Sequence, residues 1–431
     1  MELFWKKTAE KPHFPTLDRD MTTDVLIIGG GIAGILCAYM LKHQGIDCIL
    51  AEADEICSGI TGNTTAKITL QHGLIYDRMI RRFGLSLAQR YVDAQTAALV
   101  QYRTICQSIE CDYEEADSYV YSLDKRAKIE REVAALRRLG IEADTVKDIP
   151  LPFAIAGAAR VSGQAQFHPL KFLYAIAEKL PIFEHSKVLE LKGHQAVTAH
   201  AKITANKTVV ATHFPFLNKH GSYFLKMYQH RSYVLALADA PIFEGMYVDE
   251  HDKGLSFRRY GDLLLLGGGS HRTGKKGGNW KTLEDFTARY YPSARVVSRF
   301  ATQDCMTLDS MPYIGCYSGS TRDLFVATGF NKWGMSSSMV AAMLLCDLVQ
   351  GKENRYVNVF SPSRSILRPQ LALNTAESLL GLLTPTRPRC PHMGCVLKYN
   401  RDEHSWDCPC HGSRFTEHGE LIDNPATDDR Q

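Results

Sequence analysis

Four residues near the C-terminal end carry the most specific chemistry in this chain: Cys390 and His392, then Cys408 and His411. The order C-x-H…C-x2-H offers two thiolates and two imidazoles. That set suits a [2Fe–2S] cluster in which one iron is held by sulfur and the other by nitrogen, an arrangement that raises the reduction potential above that of an all-cysteine cluster. A structural zinc ion draws on the same residue types, although zinc sites usually pair C-x2-4-C with H-x3-5-H. On the cluster reading the chain handles single electrons.

A second constellation lies at the opposite end. Asp24-Val-Leu-Ile-Ile28 reads as a short buried strand, and Gly29-Gly-Gly31-Ile-Ala-Gly34 follows it directly. Ile35, Leu36, Tyr39 and Met40 then recur at helical spacing, with Gly45 as the stop. A second strand, 46–51, ends at Glu52. In such a βαβ unit Gly29 permits the tight turn, Gly31 lets a pyrophosphate approach the backbone, and Gly34 lets helix pack on strand. The helix N-terminus offers free N–H groups to phosphates, and Glu52 can accept hydrogen bonds from a ribose diol. The chain is thus expected to bind a dinucleotide.

The first constellation resembles the Rieske family. The resemblance implies a loop-bridging disulfide between Cys395 and Cys410, a sulfide-bonding serine in Gly412-Ser413, and a shielding proline loop at Pro425-Ala426. Quinol-oxidising members place a tyrosine two residues after that serine, whereas this chain has Phe415. Losing a donor to a ligand sulfur disfavours the reduced cluster, so a lower potential is expected. A complete Rieske domain also has several strands before its first ligand loop. Here almost nothing precedes Cys390, and so small a module should need its cluster, its disulfide or docking to stay folded.

The nucleotide end resembles the FAD-dependent amine and amino-acid oxidoreductases, the D-amino-acid oxidase and glycine oxidase superfamily. The stretch 57–67, including Thr64, Thr65 and Ala66, is similar to their flavin-facing loop. Lys187-Val188-Leu-Glu-Leu looks like a strand carrying the adenine end, and 209–212 like the return to the sheet. Met311-Pro-Tyr-Ile-Gly315 and Leu324-Phe-Val-Ala-Thr-Gly329 look like the C-terminal flavin strands. Gly334 and Met335 then open a helix whose N-terminus would face the flavin and favour its anionic reduced form.

These resemblances imply an α/β fold: a Rossmann-like FAD domain of glutathione-reductase type, an antiparallel-sheet substrate domain, and a truncated β-rich Rieske module. Residues 1–360 are expected to form the oxidoreductase. Its FAD segments would be 20–75, 146–215 and 306–360, and its substrate segments 76–145 and 216–305. A linker with one short helix, 361–389, would tether the cluster module at 390–431. Within the charged stretch 124–138, Lys128 and Glu132 are expected to pair along a helix face.

The resemblance further implies oxidation of a small amine or amino acid by FAD. Electrons would leave singly through the [2Fe–2S] cluster to an unknown one-electron acceptor. An oxidase using O₂ with a structural or regulatory cluster remains open, as does a redox-sensing electron-transfer protein. Arg231 and Arg259 (or Arg258) are candidates to clamp a substrate carboxylate, and His72 and Trp333 to line the pocket. Cys305 lies near where some relatives attach flavin covalently, but a buried unreactive thiol is the ordinary expectation.

Composition sets the limits. The net charge of +3 over 431 residues calls for no nucleic acid. The longest apolar run, Val25 to Leu41, is broken by glycines and too short to span a bilayer, and the N-terminal stretch lacks a signal-peptide core. Of the 12 cysteines only the last four cluster, which argues against a secreted disulfide scaffold and for the cytoplasm.

Overall fold

The computed structural model describes residues 4–217, 220–386 and 388–430. The apolar run Val25–Ile28 is buried on both faces at the centre of a largely parallel sheet, as uninterrupted hydrophobic strands require. Met21–Ile28 pairs in parallel with Cys48–Ala51 on one side and Lys202–Val210 on the other. Leu324–Thr328 extends the sheet in parallel, and Tyr313–Cys316 closes that edge antiparallel. Helices Ile32–His43 and Gly334–Val349 pack together against this sheet, so both open at the C-terminal ends of its strands.

A second, nine-stranded sheet roofs those strand ends. Its order runs from Arg295–Thr307 through Met227–Ala238, Leu263–Arg272, Ser256–Tyr260 and Met246–Asp249 to Glu114–Ser122 and Gly157–Gln166. All neighbours are antiparallel except Met246–Asp249 with Glu114–Ser122. Gly157–Gln166 lies within the stretch expected to serve the FAD domain, yet it pairs with Glu114–Ser122 in the roof. Its small residues, GAARVSGQAQ, carry little hydrophobic period, so only tertiary pairing identifies it. The strand expected at 187–191 is also displaced, to Glu190–Lys192, in a hairpin with Gln195–Val197. Val188 is left outside it.

Three helices interrupt the strands of the second sheet: Tyr76–Phe83 and Leu85–Cys106 precede Glu114–Ser122, and Arg126–Arg138 follows it. Lys128 and Glu132 do not pair. Lys128 reaches Glu250, while buried Glu132 accepts hydrogen bonds from the N–H groups of Tyr76 (2.8 Å) and Asp77 (3.0 Å) at the start of a neighbouring helix. Capping orphan helix donors outweighs an exposed i,i+4 pair.

Helix Pro369–Leu383 leads into a four-stranded antiparallel sheet made by Lys398–Asn400, Ser405–Asp407, Arg414–Thr416 and Leu421–Asp423. This sheet sits on the outer face of the roof. Among the described residues no helix is long and apolar enough to cross a membrane. The joint is ionic and buried. The Arg231 guanidinium grips the Glu403 carboxylate through both Nε (3.1 Å) and Nη2, with the two side chains only 3% and 8% exposed. Tyr233 donates its hydroxyl to the same carboxylate at 2.8 Å. Arg414 binds Glu403, Asp407 and Asp423 together. Burial alone would push the Glu403 carboxyl up, but the facing guanidinium groups of Arg231 and Arg414 outweigh it and hold the pKa low.

A carboxyl held low contributes stability that is present above its ordinary pKa and is lost as pH falls through the folded value. Glu403→Gln should therefore cost about 3 kcal/mol at neutral pH by leaving Arg231 buried without its counter-charge. Denaturant unfolding of both proteins across pH should show that gap shrinking below about pH 4.

Candidate functional site

Between the two sheets lies one large cavity of about 1120 Å³. That exceeds the roughly 300–1,000 Å³ of ordinary small-ligand pockets, leaving room for a dinucleotide and a substrate together. Gly29, Gly31, Glu52, Thr64, Thr65, Val188, Gly334 and Met335 all line it. Gly29 has φ +113°, and a Cβ there would stand 2.7 Å from the Ala211 carbonyl oxygen. A Cβ on Gly34 would stand 1.9 Å from the Gly29 oxygen, so strand and helix meet only through glycine. Glu52 holds this turn by accepting N–H groups from Gly30 (2.5 Å) and Asp54 (2.9 Å). Thr61 Oγ1 accepts the Ile32 N–H (3.1 Å) at the helix start. These contacts pre-shape a pyrophosphate cradle, which fits FAD.

The loop 57–67 is fixed from outside by residues that sequence reasoning gave other roles or none. The Trp5 indole donates to the Thr64 carbonyl at 2.8 Å. Arg258 Nη1 donates to the carbonyls of Thr65 (2.6 Å) and Ala66 (2.9 Å). Ala66 itself is buried, with φ +50°. At the far end Gly329 takes φ +71°, where a Cβ would press on Thr307. Asn331 and Lys332 follow with φ +52° and +72°, strained values of the kind found at functional turns. They aim the N-terminus of helix Gly334–Val349 at the cavity.

His72 and Trp333 line the cavity as stacked rings, 5.0 Å apart at 14°. Tyr91 and Ser336 bind the two nitrogens of His72 (2.7 and 2.9 Å), and burial pushes its pKa down to about 3. It is a neutral wall. The arginine candidates are otherwise engaged. Arg231 turns away from the cavity to Glu403, Arg258 holds the flavin loop, and Arg259 pairs with Glu114 and Glu244. None is left to clamp a substrate carboxylate. Among the charged groups that do line the cavity are Asp304, Lys332 and Lys67. Burial raises Asp304 to about 6, against Lys332 and Arg231, and burial likewise lowers Lys332. Cys305 is also in the wall, its thiol pushed far up by burial and so unreactive.

The two cysteine–histidine loops meet on the outer face of the roof. Each closes on itself: the Gly394 N–H donates to the Cys390 carbonyl (2.9 Å), and the Gly412 N–H to the Cys408 carbonyl (3.0 Å). Hydrogen bonding to Cys408, and more weakly to Ser413, holds the Cys390 thiol down to about 7 against burial. The rings of His392 and His411 lie 5.2 Å apart at 87°. His411 is 4% exposed, and its Nδ1 has no hydrogen-bond partner among the described residues. Two adjoining thiols and a buried unpartnered imidazole nitrogen fit split cluster ligation. Cys395, Cys408 and Cys410 also lie close enough to suggest a metal triad. However, Cys395 and Cys410 are joined in a disulfide, which removes two of its three thiolates. The Ser413 hydroxyl accepts the Ala426 N–H at 3.0 Å, tying the proline loop to the cluster loops, and Phe415 is fully buried behind them.

Comparison with known proteins agrees with both halves. Residues 24–348 match the family of FAD dependent oxidoreductases, and residues 358–430 match the Rieske [2Fe-2S] domain. A Bacillus subtilis protein, YhfW, described as a Rieske 2Fe-2S iron-sulfur protein, is 36% identical over 99% of this chain and 96% of its own length. Gamma-glutamylputrescine oxidoreductase of Escherichia coli is 23% identical over 46% of this chain and half of its own. The fold is shared with glycine oxidase from Geobacillus kaustophilus at a TM-score of 0.68 and 19% identity, covering 80% of this chain and all of that one.

Purified protein should carry about two irons per chain. Cys390→Ser and His411→Ala should each lose them, together with the visible cluster absorbance, while keeping the flavin. Iron analysis and absorption spectra check this.

Proposed function

Because the chain belongs to the family of FAD-dependent oxidoreductases and ends in a Rieske [2Fe-2S] domain, we propose that it oxidises a small amine or amino acid and delivers the electrons singly to an external acceptor. When bound, FAD supplies two-electron oxidation of a C–H bond beside nitrogen, and the cluster supplies one-electron transfer. In this reading Cys390, His392, Cys408 and His411 hold the cluster. Gly29, Gly31, Gly34, Glu52, Thr64, Thr65, Ala66, Val188, Gly329, Gly334 and Met335 hold FAD.

The observation that carries the proposal is a shared wall. Asp423, Asn424 and Ala426, in the proline loop of the cluster module, line the dinucleotide cavity. The same loop bonds the cluster-side Ser413. A redox centre built into the flavin site itself suits an electron outlet better than an independent domain. The rest of the chain contributes orientation and dryness. His72 and Trp333 present a neutral, rigid wall, and Asp304 and Lys332 place opposite charges that can orient a small polar donor. The N-terminus of helix Gly334–Val349 favours negative charge at the flavin edge.

Anaerobic mixing with a panel of small amines and amino acids should bleach the flavin absorbance and then reduce the cluster. A panel that leaves the flavin oxidised would contradict amine oxidation. Flavin bleaching with a static cluster would favour direct reoxidation by O₂. With Phe415 supplying no hydroxyl, the cluster potential should lie in the lower part of the range of about −150 to +300 mV. Protein-film voltammetry giving a value near the top of that range would contradict this assignment.

A further inference from the structure

One histidine of the cavity wall has no part in the cradle contacts or the wall described above. His213 follows the strand Lys202–Val210, adopts φ +61°, and lines the cavity. Three elements converge on its turn. Thr328, in the flavin strand Leu324–Thr328, donates its hydroxyl to the His213 carbonyl. Asn424, beside the proline loop, donates to the carbonyls on either side, Thr212 (2.8 Å) and Phe214 (2.9 Å). The imidazole lies beside Gln229 and Gln303, and its Nε2 has no hydrogen-bond partner among the described residues.

Gln229 and Gln303 lie behind His213, 1% and 0% exposed, on adjacent roof strands. A buried carboxamide is costly unless its hydrogen bonds are made, and here they are made to the cluster loops. Gln229 Nε2 donates to the carbonyl of His411 (3.0 Å) and to that of Asn424 (2.7 Å). Gln303 Nε2 donates to the Gly412 carbonyl (2.9 Å) and to Gln229 Oε1 (2.7 Å). Thr273 in turn donates to Gln303 Oε1 at 3.0 Å, fixing the orientation of both amides. Contact is close enough that a Cβ on Gly412 would stand 2.5 Å from Gln229 Cβ. The remaining side of the His411 ring meets Phe224, whose ring lies 6.1 Å away, edge-on.

We propose that His213 and Gln229 form the bridge by which electrons cross from the flavin cavity to the cluster, entering at His411. Both are positioning residues, and the proposal rests on the flavin–cluster reading given above. In each transfer the reduced flavin loses one electron and one ferric iron gains it. The second electron follows once a one-electron acceptor outside the chain has removed the first, and the test follows the first transfer alone. Bonded and hydrogen-bonded contacts couple redox centres better than gaps do. Gln229 supplies such a contact to the backbone of a ligand, and His213 stands beside it at the cavity surface.

The test bypasses the substrate. The flavin of the anaerobic holoenzyme is photoreduced with EDTA as electron donor, and freeze-quench EPR follows the reduced cluster. Failure to oxidise any amine would thus leave this result untouched. In the wild type the cluster signal should grow as the flavin bleaches. His213→Leu and Gln229→Leu should each slow it roughly tenfold or more, with the EPR line shape and iron content unchanged. His213→Gln, which keeps an N–H in reach, should recover part of the rate. Wild-type rates in variants that retain the cluster would overturn the proposal. If Gln229→Leu loses its iron, His213→Leu decides, because His213 makes no hydrogen bond to a ligand loop. A wild-type cluster that stays oxidised over a fully bleached flavin would overturn it as well.

Discussion

A β-strand shows alternate residues to opposite faces, and everything distinctive in this protein depends on that rule applied to Met227–Ala238. Tyr228, Ser232 and Val234 line the cavity, Gln229 and Arg231 bind the cluster module, and Tyr233 borders the cavity while its hydroxyl reaches Glu403. One strand thus presents one face to the cavity and the other to the cluster module. Layers packed on a sheet lie about 10 Å from it, which keeps the two sites close without letting them merge. A slip of one residue in register would turn the cluster-binding side chains into the cavity. The strand is held on both sides, by Arg295–Thr307 and Leu263–Arg272, so such a slip is strongly opposed.

The same arrangement explains how so short a cluster module stays folded. Four strands of three residues enclose little apolar core. The deficit is met by the Cys395–Cys410 disulfide, by the network around Arg414, and by docking on the roof. Buried ion pairs contribute modestly to net stability but penalise wrong geometry severely. An interface made of Arg231–Glu403 and two buried carboxamides therefore specifies one placement of the module, as a redox partner requires.

Much of this was legible in the sequence wherever function is written in contiguous spacing. The Gly29–Gly34 turn, Glu52 and the two cysteine–histidine loops are local patterns, and the Cys395–Cys410 pairing followed from the Rieske resemblance. The structure gathers the first two at one cavity and the others on the roof above it. What failed was the assignment of the lone arginines. Arg231 looked like a carboxylate clamp, because a strand arginine near a pocket carries no sign of which face it occupies. Its partner Glu403 belongs to another domain. Trp5 and Arg258 act through backbone carbonyls, and such roles leave no spacing signature. Gly157–Gln166 escaped because small residues blur the period that marks a half-buried strand.

The central claim is that the cluster module is a fixed layer on the cavity roof rather than a tethered, mobile domain. Hydrogen–deuterium exchange on the holoprotein tests it most directly. Backbone amides of residues 405–416 should be protected as strongly as those of residues 229–235, and Glu403→Gln should weaken both regions together. Rapid exchange across residues 390–430, with the roof strand still protected, would contradict it.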